Sequence, residues 1–84
     1  MNITFTDDSW DDYLYWQDID KKILKKINQL IKDIKRDPFN GIGKPEPLKY
    51  EFTGCWSMRI TEEHRVVYEV NEYSIVIISC RFHY

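Results

Sequence analysis

The last 28 residues, Ser57 to Tyr84, constrain the fold more than any other stretch, because they hold short apolar runs cut apart by polar, turn-prone clusters. Trp56–Ile60, His64–Val70 and Ser74–Phe82 read as strands, with Thr61-Glu62-Glu63 and Asn71-Glu72-Tyr73 as the turns. Adding Lys49–Phe52 and a turn at Thr53-Gly54 predicts four antiparallel strands in a meander. Side chains alternate faces along a strand, so Ser57 and Arg59 oppose Trp56, Met58 and Ile60, and Arg65 opposes His64, Val66 and Tyr68. The same alternation groups Arg81 and His83 with Ile77 and Ser79. Each strand can then bury one apolar face, leaving Arg59, Arg65 and His83 on the other.

Upstream lies a platform for that sheet. Asn2–Phe5 is a β-prone first strand. Thr6, Asp7 and Asp8 offer N-cap oxygens for a helix over Ser9–Gln17, in which Trp10, Tyr13, Leu14 and Ile19 recur at helical spacing with Tyr15 and Trp16 on another side. This aromatic cluster is expected to be core and inter-helix packing. Asp20 can cap a second helix whose Ile23, Ile27, Leu30 and Ile34 form a stripe widened by Leu24 and Ile31, and Asp37-Pro38 ends it. Charge is sharply segregated: residues 1–20 carry six Asp and no base, whereas residues 21–36 carry six Lys and Arg36 against Asp33 alone. The expected fold class is α+β: a strand, a helical hairpin of opposite charge, and a small twisted, mainly antiparallel sheet, in one domain over 1–84. The lysine face is either solvated or a surface for RNA phosphates.

Composition removes several functions. A net charge of −2 argues against a broadly basic nucleic-acid binder, so any polyanion contact must be local. No apolar run approaches a membrane span, and the first residues do not read as an export signal. Cys55 and Cys80 lack CxxC spacing and read as reduced thiols, which predicts a cytoplasmic protein. The spacing of Cys55, His64, Cys80 and His83 fits no zinc pattern, and residues three apart on a strand do not form a Cys80–His83 nucleophilic pair. No metal or cofactor is expected. His64, beside Glu62 and Glu63, reads as a structural or surface histidine.

One loop carries a carboxylate. In Gly43-Lys44-Pro45-Glu46-Pro47-Leu48-Lys49, two prolines hold Glu46 extended. The preceding glycines complete neither a GK[ST] nor a GxGxxG phosphate motif. Composition alone leaves Glu46 as a solvated loop residue and the arginines as surface ion pairs. Taken together, however, two guanidiniums and an imidazole suit a phosphodiester. RNA brings its own nucleophile in the 2′-hydroxyl, so cleavage needs only a base, an acid and charge stabilisation.

The runs SWDDYLYWQ, GKPEPLK, WSMRITEEHRVVY and the terminal CRFHY, spanning Ser9 to Tyr84, resemble the YoeB toxins of the RelE/ParE superfamily of bacterial type II toxin–antitoxin systems. The resemblance implies a RelE/ParE-like microbial RNase fold and an endoribonuclease that cuts mRNA in the A site of the 70S ribosome. It also implies restraint by a YefM-like antitoxin, and a homodimer alone or within that complex. In that frame Glu46 is the general base, His83 the general acid and Arg65 the stabiliser of the charged phosphate. Lys49 and Arg59 are further phosphate contacts, and Tyr84 places the scissile site. Basic neighbours weaken a carboxylate as a base, so Glu46 is expected to orient the 2′-hydroxyl as much as deprotonate it. Met58 stands where a basic residue is expected, which would weaken an accessory RNA contact. The rival reading is a ParE-like toxin that acts on a protein such as gyrase without cutting RNA.

Overall fold

A computed structural model describes residues 1–41 and 43–82. Its elements run β1 (Asn2–Phe5), α1 (Asp7–Ile19), α2 (Lys21–Arg36), β2 (Glu46–Pro47), a 3₁₀ turn (Tyr50–Phe52), β3 (Cys55–Arg59), β4 (Arg65–Val70) and β5 (Ser74–Ser79). Among the described residues the strands form one sheet in the order β1-β5-β4-β3-β2, antiparallel except for β1 beside β5. The expected α+β hairpin-on-sheet architecture is therefore what the chain forms.

Local chemistry sets the helix boundaries. The Thr6 hydroxyl accepts the Ser9 N–H at 3.1 Å and starts α1 under the acids Asp7 and Asp8. Asp20 ends α1 and starts α2, its carboxylate accepting the N–H groups of Lys22 (3.0 Å) and Ile23 (3.2 Å). Ile27, Leu30 and Ile34 of α2 are buried against Met58, Ile60, Val66, Tyr68, Ile75 and Ile77 of the sheet.

The inner face of α1 differs from expectation. Trp16 and Ser9 are the buried residues, while Trp10, Leu14 and Ile19 are 45%, 38% and 64% exposed. Aromatics surround this helix, so periodicity offers no contrast, and hydrogen bonding decides. Trp16 donates its indole N–H to the Cys80 carbonyl at 2.8 Å, a partner a buried indole needs. The small Ser9 lets the sheet approach, and the Cys80 thiol meets its carbonyl oxygen at 3.6 Å. Outside, Trp10 stacks on Tyr13, and Phe5 meets both edge-on.

Two strand assignments also shift. Lys49–Phe52 is not a strand: Tyr50 has a φ of 59° and the segment closes as a 3₁₀ turn. The outer strand is instead the two-residue β2, whose Pro47 suits a sheet edge because it lacks a ladder N–H. In β5, Tyr68 pairs with Ile77 but Val67 pairs with Ser79, leaving Ile78 as a bulge. Ile77 therefore faces the helices and Ser79 the opposite side, against simple alternation. The strand stops at Ser79, and Arg81 lies on the α1 side, its guanidinium 3.7 Å over the Tyr15 ring. No helix among the described residues is long and apolar enough to cross a membrane.

Candidate active site

Glu46 and Ser57 are cross-strand partners in the β2–β3 pair, and Arg59 and Arg65 are partners in β3–β4, so three candidate residues reach the face turned away from the helices. The Arg65 Nε donates to the Ser57 hydroxyl at 2.9 Å, and its terminal nitrogen lies 3.5 Å from the Glu46 carboxylate. The Arg65 side chain is only 17% exposed, whereas that of Glu46 is 67% exposed. Arg65 is thus fixed by the sheet and presents a half-buried guanidinium, while Glu46 hangs over it from the edge. Like charges directly opposite on neighbouring strands repel. The Arg59–Arg65 pairing is therefore a place that favours an anion. Lys26, Gly43, Lys44 and Ile60 complete a cleft of about 360 Å³ with these three residues.

The loop that brings Glu46 there is pressed against the core at Gly43. A Cβ on Gly43 would sit 2.7 Å from the Met58 sulfur and 2.9 Å from a Leu30 methyl, so only glycine fits. Lys44 follows in a left-handed conformation, φ 51°, its N–H bonded to the Gly41 carbonyl at 3.1 Å. Gly43→Ala is expected to cost about 1–3 kcal/mol by overpacking, read as a lower urea midpoint with unchanged m-value. A midpoint equal to that of the unaltered protein would show that the loop yields freely.

Lys49 lines a separate depression with Leu48, Tyr50, Glu51 and Phe52 and does not line this cleft. His83 and Tyr84 lie outside the described residues. Met58 is fully buried and faces the helices, so it makes no accessory RNA contact and its lack of charge leaves the cleft unaltered.

Two residues gain a definite place from the structure: His64, which the sequence left between a structural and a surface role, and Lys26, which it did not single out. His64 is a structural histidine that ties down a backbone segment: its Nδ1 accepts the Phe82 N–H at 2.8 Å, and the Phe82 carbonyl accepts the Arg65 N–H at 2.9 Å. Its ring packs edge-on against Trp16 at 4.7 Å. The residue preceding His83 is therefore tied on both sides to the strand that carries Arg65. Lys26 is the other. It lies three residues from Ile23 and four from Leu30, on the border of the apolar stripe, and that spacing could have revealed it.

Other reactive groups are poorly placed for chemistry. Burial, with a smaller push from Asp12, raises the Cys80 thiol to about 12, so it stays protonated at neutral pH. Burial also raises the Asp12 carboxyl above its ordinary range, partly offset by the Cys80 N–H it accepts and by Arg81. Among the described residues no three His, Cys, Asp or Glu side chains converge as metal ligands.

The family model for the YoeB-like toxin of bacterial type II toxin–antitoxin systems matches residues 5–84. The toxin YoeB of Escherichia coli strain K12 is 61% identical over 84 residues, all of each chain. The solved YoeB/ParE toxin from Agrobacterium tumefaciens superposes with a TM-score of 0.97 at 52% identity over the whole of both chains. A YoeB–YefM complex from Staphylococcus aureus contains a chain matched with a TM-score of 0.91 at 50% identity, over all of this chain and 98% of that one.

Proposed function

This chain belongs to the YoeB-like toxins of bacterial type II toxin–antitoxin systems, and on that premise we propose that it is a ribosome-dependent mRNA endoribonuclease working by metal-free acid–base chemistry. The observation that carries the reading is the convergence of Glu46, Arg59 and Arg65 on one cleft through the Glu46–Ser57 and Arg59–Arg65 cross-strand pairs. In the proposed reaction the 2′-oxygen attacks phosphorus while its proton passes to Glu46. The bond from phosphorus to the 5′-oxygen breaks as His83 protonates that oxygen. A 2′,3′-cyclic phosphate, opening to a 3′-phosphate, and a 5′-hydroxyl result. Arg65 and Arg59 neutralise the charge that builds on the equatorial oxygens. Lys49 would bind a phosphate away from the scissile one, and Tyr84 would place the neighbouring base.

The antitoxin partner is proposed to be YefM-like, as in the Staphylococcus aureus complex. A homodimer is proposed on the solved Staphylococcus aureus YoeB dimer, and the exposed Trp10, Leu14 and Ile19 offer apolar surface for one or the other contact. A ribosomal substrate places the protein in the cytoplasm.

The test is primer-extension mapping of a reporter mRNA in a purified translation system. The unaltered protein is expected to give ribosome-dependent cuts, and Glu46→Ala and His83→Ala to slow them about 10²–10⁴-fold, with His83→Ala at least as damaging. Intact mRNA in the presence of folded, unaltered protein would reject the nuclease and favour a toxin that acts on a protein target.

A further inference from the structure

Seven of the sixteen residues of α2 are cationic, yet Lys26 alone among them lines the Glu46–Arg65 cleft. Lys26 also lines a second depression of about 550 Å³ on the same helix, with Gln29, Leu30, Lys32, Asp33 and Arg36. One half-buried lysine therefore joins the two hollows. The charge in the cleft exceeds what one phosphodiester needs: Lys26, Lys44, Arg59 and Arg65 face Glu46 alone, and Glu46 already lies beside Arg65. In the second hollow Asp33 pairs with Arg36 at 2.6 Å, and Lys32 is exposed. From Lys26 to Lys32 the helix advances about 9 Å, which carries positive charge well beyond the cleft.

We propose that Lys26 carries the backbone of single-stranded RNA out of the cleft and onto the groove of α2, so that the substrate is held over at least three successive phosphates. The choice of RNA rests on the nuclease reading above. A strand whose scissile phosphate sits between Arg59 and Arg65 must place flanking phosphates next to it whatever its sequence, and Lys26 and Lys44 line the same cleft. An acidic protein segment has no comparable obligation to present a negative charge at each step.

The test measures binding, not cleavage. Fluorescence anisotropy of the purified protein with a 2′-O-methyl RNA pentamer, which lacks the attacking hydroxyl, is followed from low to moderate salt. A 2′-O-methyl dinucleotide with a single phosphate is the comparison. Each contacted phosphate adds about 0.7 to the negative slope of log K against log salt, so the pentamer slope is expected to exceed the dinucleotide slope by about 1.4 or more. Lys26→Ala is expected to lower the pentamer slope by about 0.7 and to weaken its binding several-fold at low salt. The dinucleotide, whose one phosphate Arg59 and Arg65 hold, should lose less of its slope than the pentamer, and Lys26→Arg should restore the pentamer slope.

A pentamer slope unchanged by Lys26→Ala would overturn the proposal. So would displacement of the pentamer by a Glu-rich peptide of equal charge with the same affinity and the same dependence on Lys26, which would give the groove to an acidic protein partner. If mRNA stays intact in the translation assay while the Lys26-dependent slope is present, the nuclease reading falls and the RNA track stands.

Discussion

Arg65→Ala is expected to slow single-turnover cleavage of ribosome-bound mRNA about 10²–10³-fold, the usual loss when one preorganised charge-stabilising donor is removed. The loss should appear in the chemical step because Arg65 does not wait for substrate to be positioned. Its Nε is held on Ser57 and its far nitrogen faces Glu46, so the guanidinium is already placed for the charge that the proposed mechanism would develop there. Stability should fall by about 1–3 kcal/mol, chiefly because the buried Ser57 hydroxyl loses its donor. Glu46 is largely exposed and loses only a partly solvated ion pair, a contact of small worth. Arg65→Lys keeps the charge but not the fork, and one ammonium cannot hold both the Ser57 hydroxyl and the Glu46 carboxylate in the same geometry. An intermediate loss of about tenfold is expected for it. Single-turnover rates on stalled ribosomes, with melting temperatures as the fold control, decide the matter. A rate for Arg65→Ala within threefold of the unaltered protein would remove Arg65 from the chemistry.

Trp16→Ala is expected to cost about 3–5 kcal/mol of unfolding free energy. The margin of a domain this size is about 5–15 kcal/mol. The ring is 4% exposed, packs on His64, and closes the end of the core where α1 meets Cys80. A change of 1 kcal/mol moves the melting temperature of an 84-residue domain by about 4–8 °C, so the variant should melt well below the unaltered protein. Trp16→Phe separates packing from hydrogen bonding: most of the ring remains, but the Cys80 carbonyl loses its indole donor, at about 1–3 kcal/mol for an unsatisfied buried acceptor. Because Trp16 also backs His64, the tether on Phe82 should loosen. Amide exchange at Phe82 should then be faster in Trp16→Phe than the global loss of stability accounts for. Equilibrium urea unfolding gives the energies, and a cost below 1 kcal/mol for Trp16→Ala would show that this end of the core reseals.

What could be read in the chain was whatever depends on neighbours in sequence. The N-cap oxygens of Thr6 and Asp20, the stop at Asp37-Pro38 and the stripe Ile23–Ile27–Leu30–Ile34 fixed two helices to within about two residues of their observed ends, because capping and amphipathic spacing act over single turns. The side of the sheet that would carry Arg59 and Arg65 followed from alternation within β3 and β4, where no bulge interrupts the pairing. Glu46, by contrast, was singled out only through the family resemblance of GKPEPLK, its composition alone reading as a solvated loop.

The failures arose where alternatives were equal locally and packing chose among them. Either side of α1 could have been buried; the indole of Trp16 found an acceptor on Cys80 and the indole of Trp10 faces solvent. Past Ile77, the Ile78 bulge cancels alternation, and the guanidinium of Arg81 settles over Tyr15. No local pattern announces a bulge, because its stabilisation comes from another element: the Thr6 hydroxyl donates to the Ile78 carbonyl at 3.2 Å from the far end of the chain.

By itself, then, the sequence determined the two helices, β1 and the strands β3 to β5, the apolar faces of α2, β3 and β4, and the kinds of group available for chemistry, since each depends on the identity and spacing of near neighbours. The tertiary structure alone decided that Glu46 and Ser57 sit across one strand pair and Arg59 and Arg65 across the next. It also brought Lys26 from α2 into the lining of their cleft and set His64 to hold the Phe82 backbone beside Arg65. The reason is physical. Register across strands and the approach of a helix to a loop are set by which of several similar buried surfaces packs without a void or an orphaned hydrogen bond, and that choice is made by the whole core at once.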